Sequence, residues 1–320
     1  MTSSMPVLAI DLGATKILAA VVADNGTLLA EKQVRMHPKG GQHAGKQITA
    51  LAVEMLAVAG PVQSIGVCVP GIYRKATGTV WAPNITGWND YPLLSEIRAF
   101  SGNRLIVIDS DRTCSILGEQ WLGAAAGCSD AIFVAVGTGI GAGILCGGNI
   151  VDGAHGSAGA IGWMALERPY SGDFAASGCF ESRASGAGIA AEAKRMIKKG
   201  ENYAGELSKI DADLLTASHV LEAYDSGDRI AIAVVRQAVA FWGMAVANLV
   251  SLFNPQVIVF GGGVFGPAQA LLPQIMHEAR KWAQPVAINQ VRLAASALGS
   301  NAVVYGAARL AMLHIKNSGL

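Results

Sequence analysis

Asp111 is the side chain best placed to take a proton from an attacking hydroxyl. It follows a strand-like run ending at Asp109 and precedes a helix-like segment from Arg112 to Trp121. Either carboxylate could instead cap that helix, with Asp109 the candidate for the task. Three glycine-bearing segments could complement the base. Asp11-Leu12-Gly13-Ala14-Thr15-Lys16 joins two strand-like runs, and its small residues let backbone amides approach an anion while Asp11 can reach a metal-bound water. An ordinary hairpin could have the same sequence, which lacks Walker A spacing. Gly137-Thr138-Gly139-Ile140-Gly141-Ala142-Gly143 places four glycines in seven residues between apolar runs, and Thr138 adds a hydroxyl that can donate to a phosphate oxygen. No helix follows it, which disfavours a dinucleotide fingerprint. Gly261-Gly262-Gly263 follows the apolar run Gln256 to Phe260 and offers side-chain-free backbone to a purine and ribose. Together the three segments describe one nucleotide held in a cleft.

The elements that must position these residues are readable from pattern. Pro6 to Asp11, Lys16 to Ala23 and Thr27 to Val34 predict an antiparallel meander. A Gly-rich loop from Pro38 to Gly45 and a helix from about Lys46 to Val58 follow, then strand Ser64 to Val69, a helix near Leu93 to Phe100 and strand Leu105 to Asp109. Ala131 to Val136, Gly141 to Cys146 and Asn149 to Val151 repeat the meander in outline. Ile230 to Leu252 predicts a long helix stopped before Asn254-Pro255, Gln256 to Phe260 a buried strand, and Ala302 to Ile315 a closing helix. Strands alternating with helices imply an α/β fold in two lobes. The expected division is residues 1–115, completed by a helix over 302–320, and residues 116–301.

Bulk properties narrow the ligand. The 320 residues carry 24 Lys plus Arg against 23 Asp plus Glu, a net charge of +1 that offers no footprint for nucleic acid or an anionic membrane. A small neutral ligand fits better. Apolar runs are read as too short and interrupted to span a bilayer, and no leader-like segment precedes the first strand, so a cytoplasmic location is expected. Five scattered cysteines, an odd number, read as free buried thiols. Lys194, Arg195, Lys198 and Lys199 read as a solvated helix face.

The ordered set Asp11 to Lys16, Val67 to Gly71, Pro83-Asn84 with Trp88, Asp109 to Glu119, Gly137 to Gly143, Gly153 to Gly162, Gly178 to Glu181, Gly261 to Gly263, Leu298-Gly299 and Gly306 to Ala308 resembles the ROK family of sugar kinases and repressors. That family lies within the hexokinase, heat-shock chaperone and actin superfamily. The resemblance implies two actin-like, ribonuclease-H-fold lobes with a nucleotide cleft between them, ATP with Mg²⁺, a sugar or polyol acceptor, and a homodimer. It places nucleotide on Asp11, Gly13, Ala14, Thr15 and Lys16, on Gly137, Thr138 and Gly139, and on Gly261, Gly262 and Gly263. It makes Asp111 the base, and Gly71, Asn84, Ser110, His155, Trp163 and Glu181 the other residues at the acceptor. His155 could equally be a packed or capping residue at a helix start, and Trp81 or Trp88 could stack on a sugar or pack beneath it.

Around the base the family's Asn-Asp-Ala-Asn reads Ser110-Asp111-Arg112-Thr113 here, and two further departures from the family pattern matter more. The family's Gly-Glu-Ile-Gly-His segment, whose Glu and His grip sugar hydroxyls, reads Gly159-Ala160-Ile161-Gly162-Trp163 here, so that side of the acceptor site should be less polar. The family's four zinc ligands align with Trp163, Gly172, Phe174 and Cys179, so no structural zinc is expected. The expected activity is ATP-dependent phosphorylation of a sugar or sugar-like hydroxyl with altered specificity. The alternative is a ligand-binding sensor that has lost catalysis. A first strand beginning near residue 6 leaves no room for an added DNA-binding domain, so no nucleic-acid partner is expected.

Overall fold

The computed structural model describes residues 5–200 and 203–317. The chain forms two compact units, one comprising Met1–Gly127, Asp152–Ala158 and Ser300–Leu320, the other Cys128–Val151 and Gly159–Gly299.

In the first unit β1 (Val7–Leu12), β2 (Lys16–Val22) and β3 (Leu28–Arg35) form the expected antiparallel meander. After α1 (Gly41–Ala59), β4 (Ser64–Val69) joins parallel to β1. A short hairpin follows, β5 (Ile72–Arg74) and β6 (Thr79–Trp81), then α2 (Leu93–Ser101) and β7 (Leu105–Ser110), which lies parallel to β4. The sheet order is β3-β2-β1-β4-β7. Alternation along β1 sends Leu8 and Ile10 to a core shared with Ile48 and Leu51 of α1 and Ile97 of α2. Val7 and Ala9 face the opposite layer, α3 (Asp111–Leu122) and the C-terminal helix Ala302–Asn317.

Those two helices cross backbone to backbone. A Cβ on Gly306 would stand 1.7 Å from the Cys114 carbonyl oxygen, and one on Gly118 2.1 Å from that of Ala302. Close packing of this kind keeps all of α3 in the first unit, so the division expected at residue 115 falls inside a helix. The expected loop up to Gly45 is also corrected, since α1 already begins at Gly41. A Cβ on Gly45 would meet the Glu96 carboxylate at 2.0 Å and the Tyr91 hydroxyl at 2.1 Å, so this glycine permits packing within a helix rather than a loop.

The second unit repeats the layout. β8 (Ala131–Val136), β9 (Ile140–Cys146) and β10 (Asn149–Ile150) form a meander, while β11 (Val257–Gly261) and β12 (Arg292–Ala295) add in parallel, giving β10-β9-β8-β11-β12. Around the sheet pack α4 (Cys179–Ala184), α5 (Gly186–Lys199), α6 (Ala217–Asp225), α7 (Arg229–Phe253) and α8 (Leu272–Ala279). Asp228 caps α7 by accepting the Ile230 and Ala231 amides, and Asn254, left-handed at φ 43°, ends it before Pro255. Contrary to the expectation of short apolar runs, α7 is long and apolar enough to cross a membrane by length and composition. Its 18-residue window of mean hydropathy 1.8 is nevertheless 67% buried inside the protein.

Candidate active site

The carboxylates of the first unit collect at the ends of its parallel strands. Register places Asp11 beside Cys68 and Cys68 beside Asp109, a row across β1, β4 and β7, and Asp111 opens α3 directly after β7. Carboxyl ends of parallel strands are where open α/β sheets take ligands. Helix capping falls to neither aspartate: the Ser110 hydroxyl accepts the Thr113 amide at 3.3 Å, and Asp109 Oδ1 accepts the Ser110 amide at 2.7 Å. Ser110, predicted at the acceptor, is therefore the buried N-cap of α3.

Burial raises the Asp11 carboxyl to about 6; repulsion from Asp111 adds to the rise, while Lys16 and a bond with Cys68 oppose it. The Asp111 carboxyl is also raised, chiefly by burial, against the pull of Arg112 and an Arg112 amide bond of 2.9 Å. Asp109 is raised too, chiefly by burial, with its Ser110 bond opposing. Lys75 binds Asp152 at 2.5 Å on the same side. In the turn after β1 the Gly13 amide donates to the Lys16 carbonyl at 2.8 Å, leaving Ala14 and Thr15 exposed.

The other predicted positions of this unit scatter. Gly71 is required by backbone proximity, because a Cβ there would lie 2.0 Å from the Trp81 carbonyl oxygen. Asn84 is exposed on the loop after β6. Trp88 is fully buried and stacked on Tyr91 at 4.3 Å, so it packs rather than stacks on a ligand, whereas Trp81 stays exposed. His155 occupies an exposed turn instead of a helix start.

The second unit holds a cavity of about 560 Å³ whose wall includes Gly137, Thr138, Gly186, Lys194, Thr216 and Gly263. The Gly186 amide, first in α5, donates to the Gly137 carbonyl at 2.8 Å, which ties the turn after β8 to a helix N-terminus. Gly137, Thr138 and Gly263 thus line one cavity. Gly139, Gly261 and Gly262 do not line this cavity, and each is glycine because its neighbours leave no room for a side chain. Their Cβ atoms would meet Glu181 Oε2 at 2.6 Å, Phe133 Cζ at 2.3 Å and the Val136 carbonyl oxygen at 2.5 Å. Lys194, read as part of a solvated face, lines the cavity; helical spacing alone could not show that α5 turns that face toward a void. Arg195 instead pairs with Glu192.

Glu181 accepts the Ile140 amide at 2.6 Å, and its half-buried carboxyl is raised by burial against that bond. It therefore braces the glycine turn. The Gly159–Trp163 segment is pinned along β9, where the Ala142 amide donates to the Gly159 carbonyl at 2.7 Å. Ala160 and Trp163 are exposed. The surviving thiol of the aligned zinc positions, Cys179, is buried and borders a cavity with Trp163 and Phe174. Cys68 and Cys114 are buried as expected of free thiols, but Cys146 is exposed.

A ROK family model matches residues 7–313. The chain belongs to the ROK family. A glucokinase of Halalkalibacterium halodurans is 30% identical over 308 residues, 93% of this chain and 92% of the relative. A xylose repressor of Caldicellulosiruptor bescii is 30% identical over 251 residues, 77% of this chain and 61% of the repressor. The ROK family glucokinase of Streptomyces griseus, solved with glucose and AMPPNP, superposes with a TM-score of 0.77 at 29% identity over 96% of this chain and 99% of that one. The fold is thus the mixed α/β, actin-like ATPase fold of ROK hexokinases.

Proposed function

We propose that this ROK chain is an ATP-dependent sugar kinase in which Asp111 is the general base. The observation that carries the reading is the pair of raised carboxylates, Asp11 and Asp111, at the ends of β1 and β7. A glycine-walled cavity in the second unit, of a size to hold adenosine, supports it. So do relatives named as glucokinases, one of them solved with glucose and an ATP analogue. In the proposed reaction an acceptor hydroxyl oxygen bonds to the γ-phosphorus, the bond to the β–γ bridging oxygen breaks, ADP leaves, and the hydroxyl proton passes to Asp111. A carboxyl held above its ordinary range is a better proton acceptor near neutrality than a free aspartate. The buried Asp11 carboxylate suits a hard divalent cation, so Asp11 would hold Mg²⁺ through water and leave Asp111 free to accept the proton. The cation would supply neutralisation of phosphate charge.

The reading includes no structural zinc and a homodimer, which metal analysis and size-exclusion chromatography test. A second reading, a sensor without catalysis, is favoured by Ala160 and Trp163 at polar family positions and by the repressor relative. A coupled ADP-release screen over hexoses, amino sugars, pentoses and polyols separates them. Release that depends on Asp111 supports the kinase; no release with any acceptor supports the sensor.

A further inference from the structure

Relative to the ROK pattern, this chain loses an acid at Ala160 and gains a guanidinium at Arg112, the residue after the proposed base. Arg112 lies in the first turn of α3 and is half-buried. Among the described residues it forms no ion pair, and its bond to the protein is a long one, from Nη1 to the Ala158 carbonyl at 3.5 Å. A guanidinium carries five donors, so most of them are left for a ligand. Burial raises the Asp111 carboxyl, and Arg112 is the charge that opposes the rise. The guanidinium therefore stands close to the base without pairing with it. At Asp11, where burial again dominates, the opposing cation is Lys16 of the glycine turn. Each carboxylate thus has its own cation, and the one beside Asp111 is not part of the turn proposed for phosphate.

The carbonyl that Arg112 touches belongs to a pinned turn of the same unit. The Ala158 amide donates to the Asp152 carbonyl at 3.1 Å, and the Asp152 carboxylate is held at 2.5 Å by Lys75, which directly follows β5. Lys75 is therefore engaged, whereas Arg112 has a planar fork of donors and no acid to fill it. A half-buried charge left unpaired is costly, and a carboxylate meets a guanidinium through two parallel bonds. Asp109 and Asp152 already repel each other in this corner, beside Asp111. A phosphate monoester would add about −1.5 to −2 charges against them, so the single charge of a carboxylate is the better balanced partner. Resting on the kinase reading, we propose that the acceptor is a sugar acid, a uronate or an aldonate, whose carboxylate pairs with Arg112 while one of its hydroxyls faces Asp111. That hydroxyl takes the γ-phosphoryl group as described above, and the carboxylate forms no covalent bond.

The test is calorimetric titration of the full chain, with AMPPNP and Mg²⁺ present, by two matched pairs: glucuronate with glucuronamide, and gluconate with sorbitol. Coupled ADP release is measured alongside, with glucose as a further acceptor. In at least one pair the acid should bind at least about tenfold more tightly than its uncharged partner. Arg112→Gln should bring that ratio toward one, and Arg112→Lys should keep part of it. Equal affinity within both pairs overturns the proposal whether or not the variants fold, and so does a ratio untouched by Arg112→Gln. Tighter binding of glucose 1-phosphate than of either acid overturns the carboxylate as the partner. If Arg112→Gln weakens AMPPNP alone and the wild-type chain shows no preference for acids, Arg112 serves the γ-phosphate and the proposal falls. The kinase reading fails separately: acid-selective binding without ADP release overturns it and leaves the Arg112 site standing. Release with glucose but no preference for acids does the reverse.

Discussion

Asp11 has a carboxyl displaced from 3.8 to about 6, largely by burial and then by Asp111. A folded value above the unfolded one means that the stabilising contribution is full below 3.8 and is lost as pH rises through about 6. Above that window the ionised group costs the fold on the order of 3 kcal/mol. Asp11→Asn should therefore raise the thermal midpoint at about pH 7.5, with the gain shrinking toward about pH 4, while turnover falls. Melting curves at the two pH values, with matched rates, check both signs. Because Asp11 and Asp111 must ionise to act, kcat/KM should decline as pH drops through about 6. Asp111→Ala should lower kcat by about 10²–10⁴-fold with the Kd for AMPPNP unchanged, read by ADP release and calorimetry. The sequence pointed to Asp111 by its strand-to-helix junction. That Ser110 is the cap depends on side-chain geometry, which spacing leaves open.

Helix α5 presents Gly186 at its start and Lys194 two turns later to one cavity. Lys194→Ala should weaken AMPPNP binding by roughly tenfold, because the cavity wall would no longer offer an ammonium group to the nucleotide. The melting midpoint of the free protein should stay almost unchanged. The α3 crossing makes the opposite demand. Gly306→Ala would push a methyl group into the Cys114 carbonyl, and we expect a loss of about 1–3 kcal/mol in urea unfolding. Elements with clear periodicity were legible to within a few residues: β4 and β8 match, and β1, β7, α7 and the C-terminal helix shift slightly. The hairpin β5–β6 and β12 were not foreseen. Each strand is only three or four residues long, and Arg292–Ala295 has no apolar alternation to mark it. Gly45 of α1 misled because a side chain absent for packing reasons looks, in one dimension, like one absent for a turn.

Across the whole chain, both sheets show two antiparallel pairings followed by two parallel ones. Sequence pattern showed the repeated meander, whereas strand order needed pairings between segments far apart in the chain. The residue classes also divide by unit: carboxylates gather in the first, and the glycine-walled cavity lies in the second. Saturating AMPPNP at about a hundredfold its Kd should stabilise the protein by about 2.7 kcal/mol, a rise of roughly 5 °C in midpoint by differential scanning fluorimetry. The matching sheet orders carry a historical consequence as well. If one ancestral half was copied and joined to itself, both copies inherited a hairpin after their first strand. One hairpin then kept Asp11 and Lys16, and the other Gly137 and Thr138.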